Sequence, residues 1–145
     1  MKRLKFWSIL MFTVFTVSMQ ISCSSDNDKD IETALTPLSL TKENLIGGWQ
    51  NEMKDIIEVY VFRSSGKGNF TYFVNQIPHS LMSYTFDYNI KDGKLVLSNL
   101  VNYEDKPIKG DMEYFVNITK DRLELIDVTN DFSPKTYKRD NFWAK

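Results

Sequence analysis

The chain has 145 residues, with 18 Lys and Arg, 19 Asp and Glu, one His and one Cys. This length corresponds to one domain, and the slightly acidic balance argues against a basic nucleic-acid-binding protein. A single Cys excludes an intrachain disulfide, and one Cys with one His are too few soft ligands for a zinc site within one chain.

Residues 1–22 contain the parts of a secretory signal in order: a basic start at Met1–Lys5, an apolar stretch at Phe6–Val17, and then small or polar residues. The apolar stretch has 12 residues, fewer than the roughly 20 that a membrane-spanning helix needs. We therefore expect a cleaved signal rather than a transmembrane anchor. Three of the basic residues and no acid lie in this segment, so the remaining 123 residues carry 15 bases against 19 acids, a net charge of −4.

The only cysteine, Cys23, follows this signal directly, in the sequence Met-Gln-Ile-Ser-Cys of residues 19–23. This sequence resembles the lipobox of bacterial lipoproteins, in which a small residue precedes a cysteine that is diacylated and becomes the new N-terminus. Gln20 departs from the Leu or Val usual at that position. The resemblance implies attachment to a membrane through acyl chains on Cys23. The alternative is a free thiol in a secreted chain.

Residues 23–40 are predicted to form an acidic and polar tether, because Ser24–Asp30 contains nothing to bury. Ser24, rather than Asp, beside the cysteine looks like a signal for the outer membrane. The acidic run also resembles the surface-export signal of Bacteroidota lipoproteins, although any solvated linker has a similar composition. The resemblance implies a lipid-anchored outer-membrane protein, on the periplasmic face or at the cell surface.

The globular domain is expected to span residues 41–145. Thr41 is suited to cap a single helical turn, and from Trp49 onward the apolar residues alternate with polar ones between regularly spaced turns, which indicates an all-β domain. Eight short antiparallel strands are predicted: Trp49–Met53, Ile56–Arg63, Asn69–Asn75, Met82–Ile90, Leu95–Leu100, Met112–Thr119, Arg122–Val128 and Lys135–Asp140.

Turn residues join these strands mostly as neighbours. Asp92-Gly93 supplies the positive φ angles of a two-residue hairpin, and Ser64–Gly68 and Lys120-Asp121 join two further pairs. A meander of eight strands has exposed edges unless it closes, so the pattern favours an up-and-down barrel. A sandwich of two sheets satisfies the same pattern.

Gly47, Gly48 and Trp49 open the first predicted strand, and they resemble the Gly-x-Trp signature of the lipocalin fold. Arg139, in the last strand, resembles the closing basic residue that packs across that tryptophan. The resemblance implies that Trp49 fills the base of the barrel and that Arg139 stacks on its ring. Simple core packing is the alternative role for Trp49.

Three further motifs follow in the order found in the small lipocalin-like domains of Bacteroidota lipoproteins: Tyr60–Gly66, Tyr88–Ile90 and Leu123–Leu125. The similarity covers about residues 40–143 and implies an eight-stranded lipocalin-like barrel that begins with a short helical turn. The core of about 100 residues is smaller than that of larger lipocalins, so a roomy ligand cavity is not implied.

Eight aromatic side chains are expected to face the interior. An eight-stranded barrel is just wide enough to be filled by side chains or to hold one small ligand. The rings therefore either line a pocket whose tyrosine hydroxyls orient a ligand or fill the core. The candidate ligand-binding residues are Tyr60, Phe62, Tyr72, Tyr84, Phe86, Tyr88 and Tyr114, and Phe70 is the eighth ring.

The sequence contains no evident catalytic or metal-binding constellation. His79 and Ser80 are adjacent in a predicted loop, but adjacent residues rarely face each other and no acid is placed to orient the ring. Acidic pairs such as Glu104-Asp105 lack the spacing of a calcium-binding loop. We therefore expect a non-enzymatic protein without a metal or cofactor.

The expected function is binding of a small apolar or amphipathic molecule at an open end of the barrel, with the loops Gln76–Leu81 and Asn102–Gly110 as its rim. The alternative is a filled barrel whose outer surface or loops bind another protein or a glycan of the cell envelope. The interior volume distinguishes the two, because only a ligand-binding barrel needs an empty space.

Overall fold

The computed structural model describes residues 36–129 and 133–143. The predicted signal peptide, Cys23 and most of the predicted tether lie outside these residues. Within the described residues, no helix is long and apolar enough to cross a membrane.

Among the described residues, one short helix precedes nine strands. Thr41 caps the helix, since its hydroxyl accepts a hydrogen bond from the backbone N–H of Asn44 at 3.3 Å. The elements are α1 Lys42–Leu45, β1 Gly47–Met53, β2 Ile56–Phe62, β3 Lys67–Val74, β4 Ile77–Pro78, β5 Tyr84–Lys91, β6 Lys94–Asn102, β7 Met112–Ile118, β8 Arg122–Asp127 and β9 Lys135–Arg139.

Eight of the strands form a closed antiparallel barrel. Each pairs with its neighbours in chain order, and β1 pairs with β9 to close the ring, while β4 is an extra strand on the edge of β3. The all-β, eight-stranded, up-and-down barrel predicted from the sequence is therefore confirmed, and the two-sheet sandwich is excluded.

The predicted strands differ from the observed ones mainly at β3, β4 and β5. The strand β4 was not predicted, because two residues that include a proline show no strand alternation and have the sequence of a loop. Strand β5 begins at Tyr84 rather than Met82, since the backbone N–H groups of Met82 and Ser83 both donate to the carbonyl of His79 in a turn. Strand β3 begins at Lys67, two residues before the predicted start.

The connections between strands define two ends of the barrel. The base is the end that holds α1 and the turns β2–β3, β5–β6 and β7–β8. The mouth is the opposite end, with the turn β1–β2 and the longer connections β3–β5, β6–β7 and β8–β9. At the base, Asp92 and Gly93 have φ angles of 52° and 74°, as the two-residue hairpin requires.

Trp49 closes the base. Its side chain is fully buried, and its indole N–H donates to the carbonyl of Leu45 at 2.8 Å. The guanidinium carbon of Arg139 lies 4.1 Å from the centre of the Trp49 ring, and its nitrogens donate to the carbonyls of Asn44, Ile46 and Lys120 at 2.7–3.0 Å. Arg139 thereby ties α1, β9 and the β7–β8 turn together over one aromatic ring.

Two glycines allow this end to pack closely. Gly47 has a φ of +131°, and a Cβ at this position would lie 3.0 Å from the Arg139 guanidinium. A Cβ at Gly68 would lie 2.4 Å from the ring of Phe86 and 2.5 Å from the carbonyl of Val61. A larger residue at either position would therefore displace its neighbours.

Candidate functional site

The barrel interior brings the predicted ligand-binding residues together. Tyr60, Phe62, Tyr84, Phe86 and Tyr88 are each at most 7% exposed and belong to one core cluster. The other two predicted residues, Tyr72 and Tyr114, are partly buried and pack against that cluster.

The buried rings contact one another. The ring of Tyr60 lies 4.7 Å from that of Phe70 and 5.3 Å from that of Tyr137, and the rings of Phe62 and Tyr88 are 5.1 Å apart. These are ordinary distances for packed aromatic pairs. The lower part of the barrel is thus filled by side chains.

Hydroxyl groups accumulate toward the mouth. The hydroxyls of Tyr60 and Tyr84 are hydrogen bonded at 3.0 Å, and those of Tyr84 and Tyr114 each donate to the sulfur of Met112 at 3.5 Å. The hydroxyl of Tyr88 instead donates to the carbonyl of Arg63 at the base, at 2.7 Å. Three of the four predicted tyrosines named here therefore form one hydrogen-bonded cluster.

Burial raises the pKa of Tyr60 and of Tyr84 well above the usual value, and the nearby tyrosine hydroxyls raise the pKa of Tyr60 further. The pKa of Tyr114 is also raised, first by burial and then by the charge of Asp127. These hydroxyls stay protonated at neutral pH, so they are suited to orient a ligand by hydrogen bonds and not to act as bases or nucleophiles.

The charged group at this site is Glu58, which the sequence analysis missed. It is only 3% exposed, and its two carboxylate oxygens accept hydrogen bonds from the Tyr137 hydroxyl at 2.9 Å and the Lys135 ammonium at 2.8 Å. Burial, followed by the charge of Glu58, raises the pKa of Tyr137. The available signal was the alternation in β2, which places Glu58 on the same face as the inward Tyr60 and Phe62.

The barrel wall opens beside this carboxylate. Strands β1 and β9 pair only at Trp49 with Arg139 and at Gln50 with Lys138, so the mouth ends of both strands are unpaired with each other. We call this gap between β1 and β9 the seam. A groove of about 630 Å³ lies along the seam. The groove is lined by Gln50, Asn51, Glu52, Thr136, Lys138, Arg139 and Asp140.

The two predicted rim loops lie side by side at the mouth. The N–H of Tyr103 donates to the carbonyl of Ser80 at 3.3 Å, and the Ser80 hydroxyl donates to the Glu104 carboxylate at 3.1 Å. The ring of His79 instead contacts that of Tyr72, at 6.5 Å between centres. Since the Ser80 hydroxyl donates to Glu104, this geometry does not activate it through His79.

The rim also exposes apolar side chains. Ile77 is 69% exposed, Leu81 is 56% exposed and Met82 is 47% exposed, all in the connection between β3 and β5. Among the described residues, no group of three or more His, Cys, Asp or Glu side chains is placed to hold a metal ion.

Four grooves on the described surface have volumes from about 240 to 630 Å³. Of the seven predicted ligand-binding residues, Phe86 alone lines one of these four. The groove at the seam instead adjoins Glu58 and its partners, which were not predicted, because Asn51 is the register partner of Glu58 and Thr136 lies between Lys135 and Tyr137.

Comparisons with known proteins identify the family but no activity. An NMR structure of a protein from Bacteroides thetaiotaomicron VPI-5482 is similar, with a TM-score of 0.55 and 23% sequence identity over 73% of this chain and 98% of that chain. At this identity the similarity supports the fold alone. A search of the curated proteins finds no match. Residues 43–140, more than half of the chain, match a family of unknown function, DUF5640, and the chain therefore belongs to that family.

Proposed function

We propose that this protein is a lipid-anchored lipoprotein of the bacterial outer membrane whose lipocalin-like barrel binds a small amphipathic molecule at its mouth, without catalysis. The observation that carries the ligand-binding part is the concentration of polar groups inside the mouth half of an otherwise aromatic barrel. Tyr60, Tyr84, Tyr114, Tyr137 and Glu58 all present polar atoms there.

Such an arrangement suits a ligand with an apolar part and a polar part. Small-molecule sites are commonly lined by aromatic side chains with a few polar groups that fix the orientation of the ligand. The rings of Tyr72 and Tyr114, which are partly buried, offer apolar contact near the mouth. The packed rings below them leave the mouth and the seam, rather than the lower barrel, as the place for a ligand.

The membrane part of the proposal rests on the sequence around Cys23. Its resemblance to a lipobox, together with the acidic run after it, supports attachment through acyl chains and exposure at the periplasmic face or the cell surface. Metabolic labelling of the native host with an alkyne-bearing fatty acid tests this directly. We expect label on the full-length chain and none on a Cys23→Ser variant.

Native mass spectrometry tests ligand binding. Residues 24–145, which contain the whole closed barrel, would be exposed to an extract of bacterial lipids and metabolites. We expect a reproducible added mass that disappears on denaturation. A clean unliganded mass across several extracts would contradict ligand binding.

A second candidate function is a filled barrel that binds another envelope protein. The observation that favours it is the exposed apolar rim of Ile77, Leu81 and Met82, since exposed apolar patches often mark interaction sites. A photo-crosslinking residue at position 81 would test it in intact cells. One discrete crosslinked species, absent when the residue is placed at exposed position 91 instead, would support this function.

A further inference from the structure

A buried carboxylate and an opening in the barrel wall occur at the same place. Glu58 is 3% exposed, and the groove of about 630 Å³ at the seam is lined by its register partner Asn51. On the other side of the seam, the groove is lined by Thr136, which lies between the two residues that hold the carboxylate. A groove on the barrel surface therefore lies next to a charge that the barrel encloses.

The carboxylate already holds an ammonium group. Lys135 places its Nζ 2.8 Å from Glu58 Oε1, while its own side chain is 59% exposed and extends into solvent. A buried carboxylate is costly unless a cation and hydrogen-bond donors satisfy it. The Lys135 ammonium thus satisfies a buried carboxylate from the end of a side chain that is mostly exposed to solvent.

The groups around this position suit a cation with an apolar chain. Tyr72 pairs with Glu58 across β2 and β3, and the Tyr137 hydroxyl donates to the second carboxylate oxygen. Aromatic faces attract cations and accept apolar chains. A second carboxylate, Asp127, is the register partner of Tyr114 at the same end of the barrel, and the two cationic residues that line the groove, Lys138 and Arg139, are balanced by Glu52 and Asp140.

We propose that the seam between β1 and β9 is a binding site for a small molecule with a primary ammonium on a short apolar chain, whose ammonium replaces that of Lys135 on Glu58. This inference rests on the proposed function, because it specifies the chemical class of the ligand. Lys135 then acts as a tethered internal competitor that satisfies Glu58 when the ligand is absent.

Three probes of equal chain length test the ammonium requirement: n-hexylammonium, n-hexanol and n-hexanoate. Titrations of residues 24–145, followed by the amide signals of residues 51, 58 and 136 in two-dimensional NMR, would give an affinity for each probe. We expect n-hexylammonium to bind at least about tenfold more tightly than the other two, since it alone leaves the buried Glu58 carboxylate paired with a cation when Lys135 is displaced.

The variant Lys135→Met removes the competing ammonium and retains most of the side-chain volume. We expect it to bind n-hexylammonium about tenfold more tightly than the native chain and to gain more thermal stability from the probe. Lys91→Met is the matched control for the loss of one positive charge, because Lys91 is exposed at the end of β5, at the base of the barrel, and does not line the groove at the seam. The control should leave the affinity unchanged.

Glu58→Gln combined with Lys135→Met removes both charges together, so that no unpaired charge stays buried in the barrel. This double variant should lose the preference for n-hexylammonium over n-hexanol. Equal binding of n-hexylammonium and n-hexanol to the native chain, or equal effects of Lys135→Met and Lys91→Met, would overturn the ammonium site while leaving ligand binding intact. If none of the three probes binds and the chain also stays unliganded in the extracts, both proposals are wrong.

Discussion

The base of the barrel and its mouth are built from the same strands, but they satisfy their polar groups in different ways. At the base, the charged group is Arg139, which donates to three backbone carbonyls and covers the ring of Trp49. These acceptors are fixed parts of the backbone, so the arrangement needs no mobile partner.

At the mouth, the buried charge is Glu58, and one of its two partners is a half-exposed lysine. The backbone there is also less complete, because β1 and β9 separate after two paired residues. Several large apolar side chains of the rim, such as Ile77, are exposed. The buried charge at the mouth therefore has two side-chain partners, whereas Arg139 at the base has three backbone partners.

This difference indicates which end of the barrel provides the rigid scaffold and which end is suited to binding. Regions that bind or move are usually drawn from the less stable parts of a fold, while a rigid scaffold positions them. In this barrel the base and the ring cluster form the scaffold, and we propose the mouth and the seam as the places where a ligand exchanges for an internal contact.

The largest effect is expected at the base. Trp49→Ala removes a fully buried indole and the surface on which Arg139 stacks, so the free energy of unfolding should fall by about 3–5 kcal/mol. Urea denaturation followed by tyrosine fluorescence or circular dichroism measures this loss. A loss below about 1 kcal/mol would show that the base does not carry the stability assigned to it.

Alkaline pH should destabilise the protein through the interior tyrosines. Burial raises the pKa of Tyr60, Tyr84 and Tyr137 in the folded state, whereas in the unfolded chain their pKa is about 10. The unfolded chain therefore loses these protons first. Below pH about 10 these groups cause no change, and above it the free energy of unfolding should fall by about 1.4 kcal/mol per pH unit for each such tyrosine.

Absorbance at 295 nm, recorded together with circular dichroism, tests this behaviour. The chain has seven tyrosines, and at least the three named should ionise only as the barrel unfolds. Ionisation of all seven with an ordinary pKa in a still-folded barrel would contradict the burial of these hydroxyls.

Removal of one tyrosine hydroxyl at either end of the barrel should lower the stability by a smaller amount, and by more at the mouth than at the base. Tyr137→Phe removes a donor to the buried Glu58 carboxylate and should cost about 1.5–3 kcal/mol, since a hydrogen bond to a charge is involved. Tyr88→Phe is the matched change at the base, where the hydroxyl donates to the neutral carbonyl of Arg63, and it should cost about 0.5–1.5 kcal/mol. Equal losses in denaturant melts would contradict a stronger hydrogen bond at the mouth than at the base.

The sequence predicts the barrel well because strand alternation and turn chemistry are local signals. Asp92-Gly93 indicates its hairpin without any tertiary information, and the helical turn after Thr41 has its capping residue in place. The strand β4 is missed for the same reason: two residues that include Pro78 carry no alternation, and only pairing with β3 makes them a strand.

The candidate site is predicted less completely. Alternation identifies the inward rings, but it gives no measure of the space between them, which depends on contacts such as Tyr60 with Phe70 at 4.7 Å. The role of Glu58 depends on Tyr137 and Lys135, which lie 79 and 77 residues away in the chain. Only closure of the barrel brings such distant residues together, so no short-range pattern reveals the ion pair.

The smallest effect is expected at the rim. Ile77 is 69% exposed, so Ile77→Ala should change the free energy of unfolding by less than about 0.5 kcal/mol. Leu95, fully buried near the base, is the matched control, and Leu95→Ala should cost about 2–5 kcal/mol. Chemical denaturation of the two variants under identical conditions makes the comparison. Because an exposed isoleucine contributes little to folding, a loss of ligand or partner binding in Ile77→Ala without a loss of stability would assign the rim to recognition. A loss of stability close to that of Leu95→Ala would instead make the rim part of the scaffold.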